Sequence, residues 1–104
     1  MQVKVYHNLD TNFVHPYKPG QRLELVDEFD TQKVAGFAEG DSINQTLEWV
    51  FRIHNTVDGK ERSAKLRVRS LSVGDVVEVD GVWHAVMGAG FEPIEKEEKA
   101  DVVL

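Results

Sequence analysis

The 104 residues contain no cysteine. That absence excludes disulfide staples, thiolate nucleophiles and cysteine-based zinc sites together. No apolar run approaches the roughly 20 residues of a membrane-spanning helix, so no membrane partner is expected. Met1-Gln2-Val3-Lys4-Val5 is not a charged segment leading into an apolar stretch, so no export signal is expected. A domain without staples or export signal points to the cytoplasm. Phosphate-cradling loops are missing as well: Gly88-Ala89-Gly90 is too short for a dinucleotide fingerprint. No G-x-S-x-G elbow surrounds Ser63, Ser70 or Ser72. The four histidines, His7, His15, His54 and His84, include no His-x-x-x-His pair, and no metal or cofactor is expected.

Basic residues are outnumbered. The net charge is −6, and residues 1–59 hold 5 basic and 9 acidic groups. Residues 60–69 reverse the balance, with Lys60, Arg62, Lys65, Arg67 and Arg69 against Glu61. The chain as a whole repels a phosphate backbone, with that one local exception.

What is present describes a single domain of ordinary length. Val3–Tyr6 and Arg22–Asp27 alternate apolar and polar residues and read as strands. Between them, Asn8, Asn12, Pro16, Pro19 and Gly20 punctuate a loop. Residues 30–41 read as an irregular connection. A helix is expected from about Ile43 to His54. Ser42 and Gln45 form its capping box, and Ile43, Leu47, Val50 and Phe51 form its apolar stripe, widened by Trp49 and Ile53. His54 falls within that apolar arc and reads either as a cation helped by the helix C-terminus or as a hydrogen-bonded core residue. A polar loop follows over 55–64. Asp80-Gly81 between Val76–Val79 and Val82–Val86 is a strong hairpin signal, since a type I′ turn needs positive φ at both central positions.

Lys65-Leu66-Arg67-Val68-Arg69 alternates strictly and reads as a further strand. Lys65, Arg67 and Arg69 would then share one face, spaced about 6–7 Å apart. The simple account is a solvated sheet face; the sharper one is contact with successive phosphates. Trp83 and His84 point to opposite sides of the hairpin. If the valine side is the core, Trp83 is exposed and becomes an anchor for a partner; if Trp83 is core, that candidate disappears.

Arg69-Ser70-Leu71-Ser72-Val73-Gly74-Asp75-Val76-Val77, then Asp80-Gly81 and Gly90-Phe91, carries a family likeness. The segment resembles the C-terminal motif of YodL-like domains and of small actinobacterial and phage proteins with the same signature. The helix end Glu48-Trp49-Val50-Phe51 through Asn55 also fits, so the likeness covers residues 47–94. Such proteins are carried on phages and mobile elements, and the resemblance transfers no catalytic residue. In its own right the motif reads as a turn at Gly74, with Asp75 bonding the turn backbone.

The expected fold class is α+β: a mainly antiparallel sheet of three to five strands with one amphipathic helix, about 43–54, on one face. Residues 1–94 form the domain and 95–104 a charged, mobile tail. The expected function is a non-enzymatic protein-interaction module, a phage or mobile-element accessory, binding through Lys65, Arg67, Arg69, Trp83 and His84. One alternative is a nucleic-acid-associated protein using residues 65–69. Another is an enzyme with a site around His84, His54 and Asp75. Homodimerisation through a sheet edge is left open.

Overall fold

Two antiparallel strands, β1 (Gln2–Asn8) and β2 (Leu23–Asp30), are the longest of the sheet. A computed structural model describes residues 1–55, 62–96 and 100–104. A short 3-10 turn (Thr31–Lys33) leads towards helix α1 (Ile43–Asn55), followed by a five-residue helix α2 (Arg62–Leu66). Strands β3 (Val76–Val79), β4 (Val82–Val86), β5 (Phe91–Ile94) and β6 (Val102–Val103) complete the fold. The six strands lie in the order β5-β4-β3-β1-β2-β6. All neighbours are antiparallel except β2 and β6. The fold is therefore α+β and mainly antiparallel, with more strands than the three to five expected.

The local chemistry behind these elements is explicit. Ser42 N donates to Gln45 Oε1 at 2.7 Å, and Gln45 N donates to Ser42 Oγ at 3.1 Å, closing the capping box of α1. Asp80 and Gly81 have φ of +48° and +85°, so the β3–β4 hairpin is of the type the Asp-Gly pair demands. Register slips between Val5 and Tyr6, where β2 spends one extra residue, Val26.

Both faces of the sheet are covered. On one, Val3, Val5, Phe29, Val77, Val79 and Val86 pack with Leu47 and Val50 of α1 and with Leu71. The helix is rotated from the expected stripe: Thr46, Leu47, Val50 and His54 are buried, while Ile43 and Phe51 are exposed. Phe51 lies beyond the strands it was expected to cover and meets Phe91 edge-on, with ring centroids 6.2 Å apart. On the other face, Tyr6, Leu23, Val76 and Trp83 pack with Tyr17 from the 9–22 segment and with Ala100 and Val102. A sheet buried on both sides explains why Trp83 and His84, on opposite faces, are both inside.

Three expectations need correction. Lys65–Arg69 is not a strand. Residues 62–66 are helical, and Arg67 N donates to Ala64 O while Val68 N donates to Ser63 O, the paired bonds of a Schellman ending. Strand β1 already has β2 and β3 on its two sides, so the alternating pattern found no central place in the sheet. The 55–64 loop is broken by α2, although residues 56–61 lie outside the described residues. Last, part of the expected tail returns to the sheet: Leu23 N donates to Asp101 O at 2.8 Å, and β6 pairs with β2.

Candidate functional site

Of the five residues singled out in the sequence, three lie together and two do not. Trp83 is 1% exposed, in contact with Tyr6 and Tyr17 (ring centroids 5.7 and 6.0 Å away). Its Nε1 donates to Glu78 Oε1 at 2.8 Å, inside the protein. It is core and presents no surface to a partner. His84 is likewise buried, on the other face of β4. Lys65 is exposed on α2, Arg67 is exposed just after it, and Arg69 is half-buried. They follow a helix and its turn, so they do not form a ladder of phosphate-spaced cations.

Arg69 is consumed by the motif that carried the family likeness. Asp75 is fully buried, and its two carboxylate oxygens accept four hydrogen bonds. Arg69 Nη1 and Nη2 each donate at 2.7 Å, and the amides of Asn8 and Ser72 each donate at 2.8 Å. The arrangement is a bidentate charge pair with every lone pair occupied. It ties β1 to the turn before β3. Gly74 beside it has φ +100°, and a Cβ there would lie 2.0 Å from Thr11 Oγ1. Thr11 Oγ1 donates to Val73 O at 2.9 Å, so only glycine lets the 9–16 loop close against this turn. The Arg–Ser–x–Ser–Val–Gly–Asp pattern is thus a structural device.

A second buried carboxylate, Asp27, joins both helices to β2. Its Oδ2 accepts from His54 Nε2 at 3.0 Å and from Arg62 Nε at 2.5 Å. Burial alone would raise its pKa; the hydrogen bonds from His54 and Arg62 outweigh burial and hold it below the usual carboxylate range. Arg62 also lies 4.4 Å from the centre of the Phe29 ring. Of the two readings its position left open, His54 is a buried histidine hydrogen-bonded in the core. The groups of the cryptic-site alternative, His54, Asp75 and His84, are all buried, and the first two are committed to these networks.

The surface features that sequence reasoning missed lie in the loop between β1 and β2. Phe13 is 55% and Val14 70% exposed, beside the exposed Leu9. This tip is firmly held. Phe13 N donates to Thr11 Oγ1, and Asn12 Oδ1 accepts from the amides of Val14 and His15, each at 3.0 Å. The Arg69 guanidinium sits 5.1 Å from the Phe13 ring centre. Across the base of the loop, Arg22 N donates to Asp10 Oδ2 at 2.7 Å and Arg22 Nη2 to Asp10 Oδ1 at 2.8 Å. Phe13 has φ +63°, a left-handed conformation costly for an aromatic residue. The signal in the sequence was the Thr11-Asn12 pair, side chains that bond their own backbone two residues on.

Between this loop and the turn after α2 lies a cleft of about 500 Å³, lined by residues that include His7, Leu9, Phe13, Glu24, Arg67 and Val68. His7 is 5% exposed and its Nε2 has no hydrogen-bond partner. Burial, aided by the nearby Arg69 and His54, pushes its pKa down to about 4 against the pull of Asp75, so the imidazole is neutral at pH 7. A second apolar groove, between Phe51 and the β4–β5 turn with Met87 and Phe91, lies elsewhere on the α1 side. Among the described residues no three metal-ligating side chains converge, and no helix is long and apolar enough to cross a membrane.

No family model matches the chain, and no solved structure matches it. The chain is similar to a queuine tRNA-ribosyltransferase-like protein of Theileria parva, 30% identical over 84 residues. Those residues are 81% of this chain and 19% of that protein, so the chain spans about a fifth of its relative's length.

Proposed function

We propose that this domain is a non-enzymatic protein-interaction module whose contact surface is the tip of the 9–15 loop. One observation carries the reading: Phe13 and Val14 stand exposed on a backbone already fixed by Thr11 and Asn12, with the Phe13 ring steadied by Arg69. Large apolar side chains on a preorganised support are the anchors that protein interfaces use, because little ordering entropy remains to be lost on binding. Left-handed strain at Phe13 has no role in the core and is consistent with a tip shaped for contact. The buried carboxylates Asp27, Asp75 and Glu78 each accept bonds that hold the fold, which leaves them poor candidates for acid–base work. The likeness of residues 47–94 to YodL-like domains supports an accessory role on a phage or mobile element.

A second reading is contact with RNA. It is favoured by the name of the T. parva relative, which refers to a tRNA-directed activity, and by the exposed Lys65 and Arg67. The net charge of −6 and the neutralisation of Arg69 by Asp75 weigh against it.

The test is capture by the tagged full chain from actinobacterial lysate, with and without nuclease. One protein retained after nuclease, and lost with Phe13→Ala/Val14→Ser, supports the interaction module. Capture that nuclease abolishes, or that falls steeply with salt and with Lys65→Glu/Arg67→Glu, would replace it with the RNA reading.

A further inference from the structure

The cleft beneath the loop tip carries an inference separate from the partner surface, which needs only the outward side of Phe13 and Val14. Three of its lining groups have side chains without a hydrogen-bond or ion-pair partner among the described residues. Arg67 and Glu24 line it with opposite charges, yet among the described residues neither forms an ion pair with the other or with any third group. His7 pairs with Glu24 across β1 and β2, and its buried Nε2 has no partner. That nitrogen is itself enclosed, as are the unpartnered Nδ1 atoms of His54 and His84, so the open features of the cleft are the two opposite charges, Arg67 and Glu24. The remaining polar groups are spoken for: Thr11 bonds Val73 and Phe13, Asn8 bonds Gln21 and Gly74, and Arg69 bonds Asp75. Leu9, Phe13 and Val68 supply an apolar wall.

Arg67 adds a second observation. It holds φ +57° at the C′ position of the Schellman ending of α2, where glycine would be free of strain. An arginine kept there gains nothing in folding from its side chain, which makes no hydrogen bond among the described residues. The helix ending fixes its backbone and so sets a cation at the cleft mouth.

We propose that this cleft binds a small amphoteric molecule, an α-amino acid with an apolar side chain. Its carboxylate lies on Arg67, its ammonium on Glu24, and its side chain against Phe13, Leu9 and Val68. The cleft volume of about 500 Å³ is within the usual range for small-molecule sites.

The test is calorimetric titration of the full chain with L-phenylalanine, N-acetyl-L-phenylalanine and phenethylamine. Saturable one-to-one binding of phenylalanine is expected, with each analogue at least about tenfold weaker because one charged contact is missing. Arg67→Gln and Glu24→Gln, with unchanged circular dichroism, each weaken phenylalanine about tenfold or more. Glu24→Gln also erases the preference over the N-acetyl form. No saturable binding of phenylalanine at millimolar concentration, equal affinity for the three molecules, or indifference to Arg67→Gln would each overturn the proposal. Val14→Ser leaves this binding unchanged while weakening partner capture, so the two readings fail separately.

Discussion

Replacing Asp75 with asparagine keeps the shape of the side chain and removes its charge. The carboxylate accepts two bonds at each oxygen: Asn8 N and Arg69 Nη2 at Oδ1, Ser72 N and Arg69 Nη1 at Oδ2. Whichever way the new amide turns, its NH₂ faces one backbone donor and one guanidinium donor. A buried backbone amide left without a partner costs about 1–3 kcal/mol. The Arg69 side chain is 33% exposed, so water recovers part of its lost pairing, and its share is discounted to about 1 kcal/mol. The expected loss is about 3 kcal/mol, or roughly 10–20 °C in Tm for a domain of this size. Urea unfolding followed by tryptophan fluorescence measures it, because the buried Trp83 reports loss of the core. Arg69→Met in the same background completes a double-mutant cycle, for which a coupling of about 1 kcal/mol or more is expected. A loss below about 1 kcal/mol for Asp75→Asn would show that the motif is not holding β1 to the turn before β3.

Gly74→Ala is expected to cost on the order of 2 kcal/mol, through its left-handed φ and the collision with Thr11, and to speed amide exchange at Phe13 and Val14. Unchanged exchange there would separate the loop from the motif. Trp83→Phe removes a buried bond to a carboxylate and should cost about 1.5–3 kcal/mol by urea unfolding followed by circular dichroism, without affecting partner capture. Stability should also fall with acid in two windows. The folded pKa of His7, about 4, lies below its ordinary 6.5, so its contribution is complete above pH 6.5 and is lost as pH falls towards 4. That shift amounts to at most roughly 3 kcal/mol, and His7→Gln flattens the slope between those values. Asp27, with its pKa lowered, contributes above the ordinary carboxylate pKa of about 4 and loses that contribution as pH falls further. Pulse proteolysis across pH 3–8 resolves both windows.

The elements that proved legible in the sequence are those whose signal is local. The Asp80-Gly81 turn and the Ser42–Gln45 capping box are each closed by groups three or fewer residues apart. Where distant chain decides, local pattern misleads. The alternation at 65–69 fits a strand, but the sheet had no central position for it and Ser63 Oγ bonds His54 O, which docks the segment as helix against α1. Trp83 could be assigned to core or surface only by knowing that Tyr17 and Ala100, from opposite ends of the chain, cover its face. The candidate site was the least legible part. Arg67 and Arg69 were noticed as a basic stripe, yet one is neutralised six residues away and the other is placed by a helix ending. Phe13 and Val14 gave no apolar pattern, because a loop tip has no period.

The claim that the 9–15 tip is the contact surface is tested most directly by a photo-crosslinking amino acid. Placed at Val14 in the full chain, and at Phe51 in the competing groove as the comparison, it records what touches each surface inside cells. One discrete protein adduct at position 14, absent at position 51, is the predicted result. Adducts only at position 51, or crosslinking at position 14 only to nucleic acid, would contradict it.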